Sequence, residues 1–289
     1  MLARPFIRRS FRAEGGEGDL GYFFYDLNAK INHIFSDRDR LFFSVYGGRD
    51  RFFLNFREQD EDFRDFGESN LGWGNVTSAL RWNHLWTPKL FSNTSLTYTR
   101  YVLDVGFLAG SEDVQRSEIE EFGLNYNSGV ADISAKIDFD YYLSPQHFIK
   151  TGLALIHHSF VPGEFDVLLR IPNSEGIDTT IGQQDIFSQE VNLYVEDDAA
   201  LTEKLKVNAG LHFSAFFVDD QVYTSLQPRI SARYLLSENQ SIKASFATMT
   251  QFINLLSNEG IGLPTDIWVP STENIFCLLY TSPSPRDRG

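Results

Sequence analysis

The chain has 289 residues, a formal net charge of −14 and a single cysteine. Its 42% hydrophobic and 15% aromatic content, which includes 26 Phe residues, is too high for a disordered chain. The acidic balance argues against a nucleic-acid partner, because nucleic-acid binders carry clustered positive charge, and no apolar run approaches the roughly 18 residues of a membrane-spanning helix.

Apolar residues recur at every second position in several long stretches, which is the pattern of a β-strand with one apolar face. Residues 23–35 show it first, with apolar residues at the odd positions and polar residues at most of the even ones. The alternation returns in 130–141, 205–215 and 226–236, and more weakly in 75–86, 90–101, 147–160, 190–198 and 241–248. We therefore predict about ten antiparallel strands, many as long as the roughly 10 residues that cross a bilayer at a tilt.

The connections between these stretches alternate in length. Short polar turns lie at residues 36–39, 87–89, 144–146, 202–204 and 237–240, and mostly long segments separate them on the other side. Short turns at one end and long loops at the other are typical of outer-membrane β-barrels. Aromatic residues near the strand ends agree with a membrane interface: Trp82, Trp86, Phe139, Tyr141, Tyr142 and Tyr234. A soluble β-sheet adhesin or binding module also alternates, but its strands are usually shorter.

Three stretches carry a family resemblance: "SQEVNLYVEDDAALTEKLKVNAGLHFS", "LQPRISARYLLSENQSIKASFA" and "GIGLPTDIWVPSTENI". They resemble the barrel of TonB-dependent outer-membrane receptors of the Bacteroidetes type. The resemblance implies an all-β fold, an antiparallel transmembrane barrel of which residues 1–275 would supply about ten of 22 strands. Because no signal peptide, plug or TonB-contacting segment is recognisable, we expect an internal fragment of a longer receptor.

The resemblance also implies a function and partners. Such receptors take up a bulky nutrient (a siderophore, vitamin, glycan or peptide) across the outer membrane of a Gram-negative bacterium. The expected partners are the lipid bilayer and lipopolysaccharide, the plug domain of the parent chain, the TonB complex acting through the missing N-terminal region, and a small nutrient ligand. A passive porin or a structural outer-membrane barrel is the alternative that the strand pattern leaves open.

The last residues differ in character from the rest. Cys277 begins "CLLYTSPSPRD", which resembles the translation of a sequencing adaptor read in frame. We therefore predict that residues 276–289 are an artefactual, disordered tail.

Charged and polar residues gather on one side of the predicted strands. An Arg or Lys facing lipid near the bilayer centre costs about 2 to 4 kcal/mol, so these residues should face the lumen, where a plug would sit. They are Asp26, Lys30, Asn32, Arg81, Asp132, Lys136, Asp138, Glu190, Glu196, Lys206, Arg229 and Arg233. Their mixed signs suit water or polar plug contacts better than a charge-selective pore.

Ligand recognition is expected in the long extracellular loops. The candidates are aromatic: Phe52, Phe53, Phe63, Phe66 and Trp268. The alternative is that such Phe residues pack on one another.

The acidic stretch 58–68 lacks the spacing of a calcium loop, and His157 and His158 are adjacent, so on a strand they point to opposite faces. We therefore predict no metal site and no cofactor, and without a nucleophile motif we predict no enzyme.

Overall fold

The computed structural model describes residues 16–182, 185–258, 265–272, 275 and 277–281. Their regular structure consists of antiparallel strands. No helix in these ranges is long and apolar enough to cross a membrane. The strands are β1 (Glu17–Ile34), β2 (Asp39–Gln59), β3 (Phe63–Thr87), β4 (Leu90–Asp113), β5 (Glu118–Ser144), β6 (His147–Arg170), β7 (Ile177–Gly182), β8 (Ile186–Ala200), β9 (Leu205–Val218), β10 (Gln221–Ser237), β11 (Gln240–Gln251), β12 (Ile253–Asn258), β13 (Thr265–Pro270) and β14 (Leu278–Thr281).

Twelve of these strands form one antiparallel sheet. Its order follows the chain from β1 to β6, continues through β8 to β11, and ends at β14, while β7 pairs with the far half of β6. β12 and β13 form a separate hairpin. The predicted antiparallel all-β fold is confirmed, with more strands in the sheet than the ten that alternation alone indicated.

The strands are longer than the sequence pattern indicated. β3 has 25 residues and β5 has 27, about two and a half times the length that crosses a bilayer. The expectation of long irregular loops between β2 and β3 is wrong, because only residues 60–62 separate these strands. There the Asp60 carboxylate accepts hydrogen bonds from the backbone N–H groups of Phe63 (2.6 Å) and Asp62 (2.9 Å). These bonds hold the pKa of Asp60 below its usual value.

Phe–Gly pairs explain why the sequence around the β2–β3 connection forms strands although its apolar residues do not clearly alternate. Three Phe side chains each lie directly opposite a glycine of the neighbouring strand, where a Cβ atom would overlap the ring. The pairs are Phe53–Gly21, Phe56–Gly67 and Phe66–Gly110. Glycine weakens a strand, and a ring laid across it restores packing and excludes water from the ladder. The candidates Phe53 and Phe66 are therefore parts of the sheet.

The short turns lie where the sequence placed them. In the β1–β2 turn, the Asp39 carboxylate accepts a hydrogen bond from Ser36 Oγ (2.8 Å) and lies 2.6 Å from His84 Nδ1 of β3. Trp82 Nε1 donates to the same carboxylate at 3.2 Å. The bonds from His84 first, and then from Ser36 and Trp82, hold the pKa of Asp39 below its usual value. Side-chain hydrogen bonds thus connect the β1–β2 turn to β3.

The predicted tail is structured over its described part. Residues 278–281 form β14, which pairs antiparallel with residues 248–251 of β11. Residue 276 and residues 282–289 lie outside the described residues. The boundary at residue 275 stays a prediction.

Replacing Gly110 by Ala should destabilise the β3–β4–β5 region. The added Cβ would lie 2.6 Å from Phe66 Cζ and 2.6 Å from the Glu120 carbonyl oxygen, and the backbone cannot move away easily. Overpacking of this kind typically costs about 1 to 3 kcal/mol, which urea unfolding in detergent micelles would measure.

Gly47→Ala is the matched control. There the nearest atoms to a Cβ are 3.7 and 4.0 Å away, so the change should be neutral or stabilising by about 0.4 to 1 kcal/mol. Equal effects of the two substitutions would contradict the role given to Phe–Gly packing.

Candidate functional site: the polar face of the sheet

The strand register divides the sheet into two chemically different faces. Residues directly paired across strands point to the same side, and neighbours along a strand point to opposite sides. One row runs from β2 to β10 on what we call the apolar face: Leu41, Trp82, Thr94, Ile137, Leu153, Leu193, Phe213 and Leu226. Large side chains of this face lie open, with Leu226 61% and Leu96 53% exposed.

Polar groups border the apolar face at two heights. Next to the short turns lie the pairs Asp39–His84 and His147–Asp197, the latter 2.7 Å apart, among the aromatic residues Trp82, Trp86, Tyr141 and Tyr234. At the other border, Arg49 and Asp104 form an ion pair at 2.5 Å. Asp39 and Arg49 are ten positions apart on β2, which is about 33 Å along the strand and about 25 Å at a 40° tilt. This is the height of a transmembrane band.

One predicted aromatic residue lies on the wrong side for a membrane interface. Tyr142 points to the opposite face, where its ring stacks on Phe148 with centroids 4.4 Å apart. It follows Tyr141 directly, so the two rings cannot share a face.

The opposite face, which we call the polar face, carries all twelve residues predicted to face the lumen. Asp26, Lys30 and Asn32 lie on β1, at one end of the sheet order. Arg81 lies over the ring of Phe42, 4.6 Å from its centroid. Lys206 and Arg233 are directly paired across β9 and β10. That this face borders a lumen stays a prediction.

A chain of polar contacts crosses five strands on this face. It begins at Asp132 of β5, whose carboxylate lies 2.7 Å from His158 Nδ1 of β6. His158 Nε2 lies 3.4 Å from Glu190 of β8, which accepts a hydrogen bond from Asn192 at 2.8 Å. Ser214 of β9 donates to Asn192 at 2.7 Å and accepts from Gln227 Nε2 of β10 at 3.1 Å. The polar face is therefore ordered by side chains as well as by the backbone.

Sequence reasoning missed His158. Its side chain is 3% exposed, and the ring lies near Phe160 and Phe216, with centroid distances of 5.9 and 6.0 Å. Side chains alternate between the two faces along β6, so the position of His158 in this alternation could have indicated that it points to the same side as Asp132 and Glu190. Which carboxylates it would meet depends on the register between strands, which the sequence does not show.

An open recess of about 460 Å³ lies beside this chain of contacts. Its polar lining mixes both signs: Lys136, Glu190, Asn192, Tyr194, Glu196, His212, Ser214, Gln227, Arg229 and Thr250. Lys136 pairs with Asp138 at 3.1 Å, and the Tyr194 hydroxyl donates to Asp138 at 2.7 Å. Glu196 accepts from Asn208 at 2.7 Å. Such a surface offers donors and acceptors in fixed places without a strong net charge.

The aromatic ligand candidates do not form one site. Phe52 and Phe63 point to the polar face, whereas Phe53 and Phe66 point to the apolar face. Trp268 lies on β13, opposite Leu255. The four Phe residues are on strands, so their assignment to loops is corrected. No group of three or more His, Cys, Asp or Glu residues within the described ranges is arranged to hold a metal ion.

The polar face is not polar over its whole length. Toward the far ends of the long strands, Leu103, Val105 and Tyr126 are buried together, with Ile267 of β13 packed on them. Beside them, Phe216 and Val218 of β9 are buried with Phe252, the residue that precedes β12. The β12–β13 hairpin therefore covers an apolar patch on this face, which alternation alone did not indicate.

A sheet with an apolar band of bilayer height on one face and a polar opposite face is part of the wall of an outer-membrane β-barrel. The model of the family described as "TonB dependent receptor-like, beta-barrel" matches residues 9–262. The chain belongs to this family, whose members are receptors of the Gram-negative outer membrane. The predicted family is thus confirmed.

Solved structures of low sequence identity resemble the chain. They include the pyoverdine receptor FpvA from Pseudomonas aeruginosa PAO1 (11% identity, TM-score 0.49, 81% of this chain and 45% of that one). Others are the ferric-catecholate import receptor Fiu from K12 E. coli (8%, 0.47, 82% and 50%) and the siderophore receptor PiuA from Acinetobacter baumannii (10%, 0.42, 81% and 49%). The chain spans half or less of each of these receptors. No curated protein matches its sequence.

Replacing Ser214 by Ala should break the chain of polar contacts at its centre. Asn192 would lose a donor and Gln227, which is 4% exposed, would lose its acceptor. Leaving buried groups unpaired costs about 1 to 3 kcal/mol, measurable as a lower urea midpoint in micelles. Ser231→Ala, on an exposed polar-face residue of β10, is the control and should change stability by less than about 0.5 kcal/mol. A similar small effect at Ser214 would contradict the network.

Proposed function

We propose that the chain is part of the barrel wall of an outer-membrane receptor that takes up a bulky nutrient with energy supplied through TonB. The observation that carries this proposal is the family match over residues 9–262. Because the chain spans half or less of the similar receptors, its place in a complete transporter is part of the proposal.

The orientation of the wall follows from how far the strands continue past each border of the apolar band: β2 begins at Asp39 but runs ten residues past Arg49, to Gln59. In outer-membrane barrels the short turns lie in the periplasm, which would place the Asp39 turn inside and the far ends of β2 to β6 outside. A bilayer would then end near Arg49 and Asp104, and the upper parts of these strands would extend beyond it. Such an extended wall supports the capture of a large ligand outside the cell.

The polar face would line the lumen and contact the plug of the parent chain. The mixed charges of the recess beside Glu190 and Arg229 support polar contacts to a folded protein segment, because neither sign dominates. The hydrogen bonds among Asn192, Ser214 and Gln227 would hold this surface in place. The TonB complex would act on the parent chain through a region outside this one.

A siderophore, vitamin, glycan or peptide is the substrate class of the proposal. FpvA is a pyoverdine receptor and PiuA a siderophore receptor, and ferric siderophores are one ligand class to test. We propose uptake without chemical conversion of the ligand, and without a metal or other cofactor. A passive porin is the second candidate, and the mixed-sign polar face is compatible with it.

Insertion into the outer membrane tests the assignment of faces. Leu211→Arg places a charge on the apolar face, about six residues from the β8–β9 turn, where it should cost about 2 to 4 kcal/mol. Asn208→Arg on the same strand places the same charge on the polar face, where Glu196 can pair with it. In the parent protein, we expect far less of the Leu211 variant in outer-membrane fractions. Equal amounts of the two variants in outer-membrane fractions would contradict the assignment of faces.

Energised uptake tests the function. The gene of the parent receptor should be deleted in its host and the uptake of radiolabelled ferric siderophores, cobalamin and oligosaccharides compared with the complemented strain. We expect loss of uptake of one ligand, and the same loss after a protonophore or deletion of tonB. Uptake that needs the barrel but persists without TonB would favour the porin.

A further inference from the structure

Three neighbouring strands toward one end of the sheet carry positive charges and no negative ones. β9, β10 and β11 contain no Asp or Glu, although the chain has 39 such residues and a formal net charge of −14. The Lys and Arg residues of these strands all point to the polar face. They are Lys206, Arg229, Arg233 and Lys243, which we call the cationic section.

Three of these side chains lie in one row across the strands. Arg233 of β10 is directly opposite Lys206 of β9 on one side and Lys243 of β11 on the other, so neighbouring positions are about 5 Å apart. Like charges placed directly opposite each other destabilise a sheet. The row therefore lowers the stability of the chain by itself, and a negatively charged partner would remove this cost.

No carboxylate in the described part of the chain neutralises these charges by direct contact. None of the four residues forms an ion pair with a described residue, and the Arg229 Nε atom is buried without a hydrogen-bond partner there. The next strand, β8, supplies Glu196 and Asp198 at the edge of the section, but neither pairs with one of its cations. The same is true of Glu203 and Glu238 in the adjacent short turns, which are exposed.

The cations on the polar face of β3 to β6 differ from these, because each of them has a partner. Arg81 lies over an aromatic ring, and Lys136 pairs with Asp138 at 3.1 Å. Lys150 lies over the ring of Phe148, 5.1 Å from its centroid. Compared with this part of the wall, the cationic section is distinguished by charge that is free to pair.

The shape of the section favours a protein segment over a small anion. Arg229 is four residues from Arg233 on β10, about 13 Å along the strand, so a single small anion cannot contact both. A recess of about 350 Å³ beside Arg233 is open and is also lined by Ser231 and Ser245, whose hydroxyl groups can donate hydrogen bonds. A peptide with several carboxylates can pair with the separate cations and accept from these hydroxyls at the same time.

We propose that the cationic section is a docking surface for an acidic protein segment, whose carboxylates pair with Lys206, Arg233 and Lys243 in the row and with Arg229 beyond it. Complementary charge fixes the position and register of such a contact. The row lies next to the short turns at 202–204 and 237–240, at the end of the wall that the proposed function places in the periplasm. In a receptor wall of that kind the acidic segment belongs to the plug of the parent chain, and only this identity of the segment rests on the proposed function.

Peptide binding to the full chain in uncharged detergent micelles tests the docking surface. A fluorescent peptide of alternating Glu and Ser residues should bind at low salt and dissociate as added salt screens the charges. Because the chain as a whole is negative, general electrostatic attraction would not bind this peptide, so its binding reports a local positive site. The absence of binding to the unaltered chain at low salt would overturn the proposal.

Removing the row should weaken this binding. Lys206→Gln, Arg233→Gln and Lys243→Gln together should lower the peptide affinity on the order of tenfold, because each exposed ion pair contributes a small amount. The triple variant should unfold at the same urea concentration as the unaltered chain or at a higher one, because like charges no longer face each other. A loss of binding is then separate from a loss of folding.

The matched control removes the same amount of charge elsewhere. Arg51→Gln, Arg57→Gln and Lys89→Gln together replace three exposed cations outside the section, and they should change the peptide affinity by less than about twofold, because salt screens distant charges. Equal weakening by the two triple variants would overturn the proposal.

A small anion provides the last comparison. If inorganic phosphate displaces the peptide at an equal concentration of charge, the section is a small-anion site and the proposal is wrong; we expect the peptide to stay bound. If the peptide results are as expected but the parent receptor shows no energised uptake, only the proposed function fails. Energised uptake without peptide binding would contradict the docking surface alone.

Discussion

Cross-strand hydrogen bonding is the constraint on which the rest of the structure depends. In a bilayer every backbone N–H and C=O group must be paired within the protein, and antiparallel pairing also fixes which side chains share a face. Leu80 is opposite Leu96, Asp132 is opposite His158 and Arg81 is opposite Phe42, each through the register of its own strand pair. The apolar band, its borders at Asp39 and Arg49, and the polar network all follow from the register of the strand pairs.

The same register makes the wall asymmetric along its length. Near the short turns the polar face is occupied by charged residues and hydrogen-bonded groups, because water or a polar protein segment can satisfy them. Farther along the same strands this face becomes apolar around Tyr126 and Phe216 and receives the β12–β13 hairpin. His158 lies between the two regions, bonded to the polar one and in contact with the apolar one. A change in either region can thus affect the other.

Alternation predicted much of this arrangement, and the reason is local. A strand repeats every two residues, so Lys136 and Asp138 share a face whatever strand pairs with them. All twelve residues predicted from this rule do lie on one face. The rule failed where Gly and Phe interrupt the pattern, as at Gly67 and Phe56. A ring from the neighbouring strand covers the glycine, but the sequence of the glycine's own strand does not show that ring. Such a stretch therefore resembles a loop in the sequence. Phe52, Phe53, Phe63 and Phe66 were assigned to loops for that reason, and whether any of the five aromatic candidates contacts a ligand stays a prediction.

The sequence by itself determined the strand type, the positions of the short turns, the separation of polar from apolar faces and the family. These properties depend on residues close together in the chain. Only the tertiary structure decided that Asp132, His158 and Glu190 meet, that Phe53 and Phe66 cover glycines, and that Phe252 stacks on Phe216. Each of these contacts joins residues on different strands, and the register that brings them together is set by the sum of many pairings that no single stretch of sequence contains.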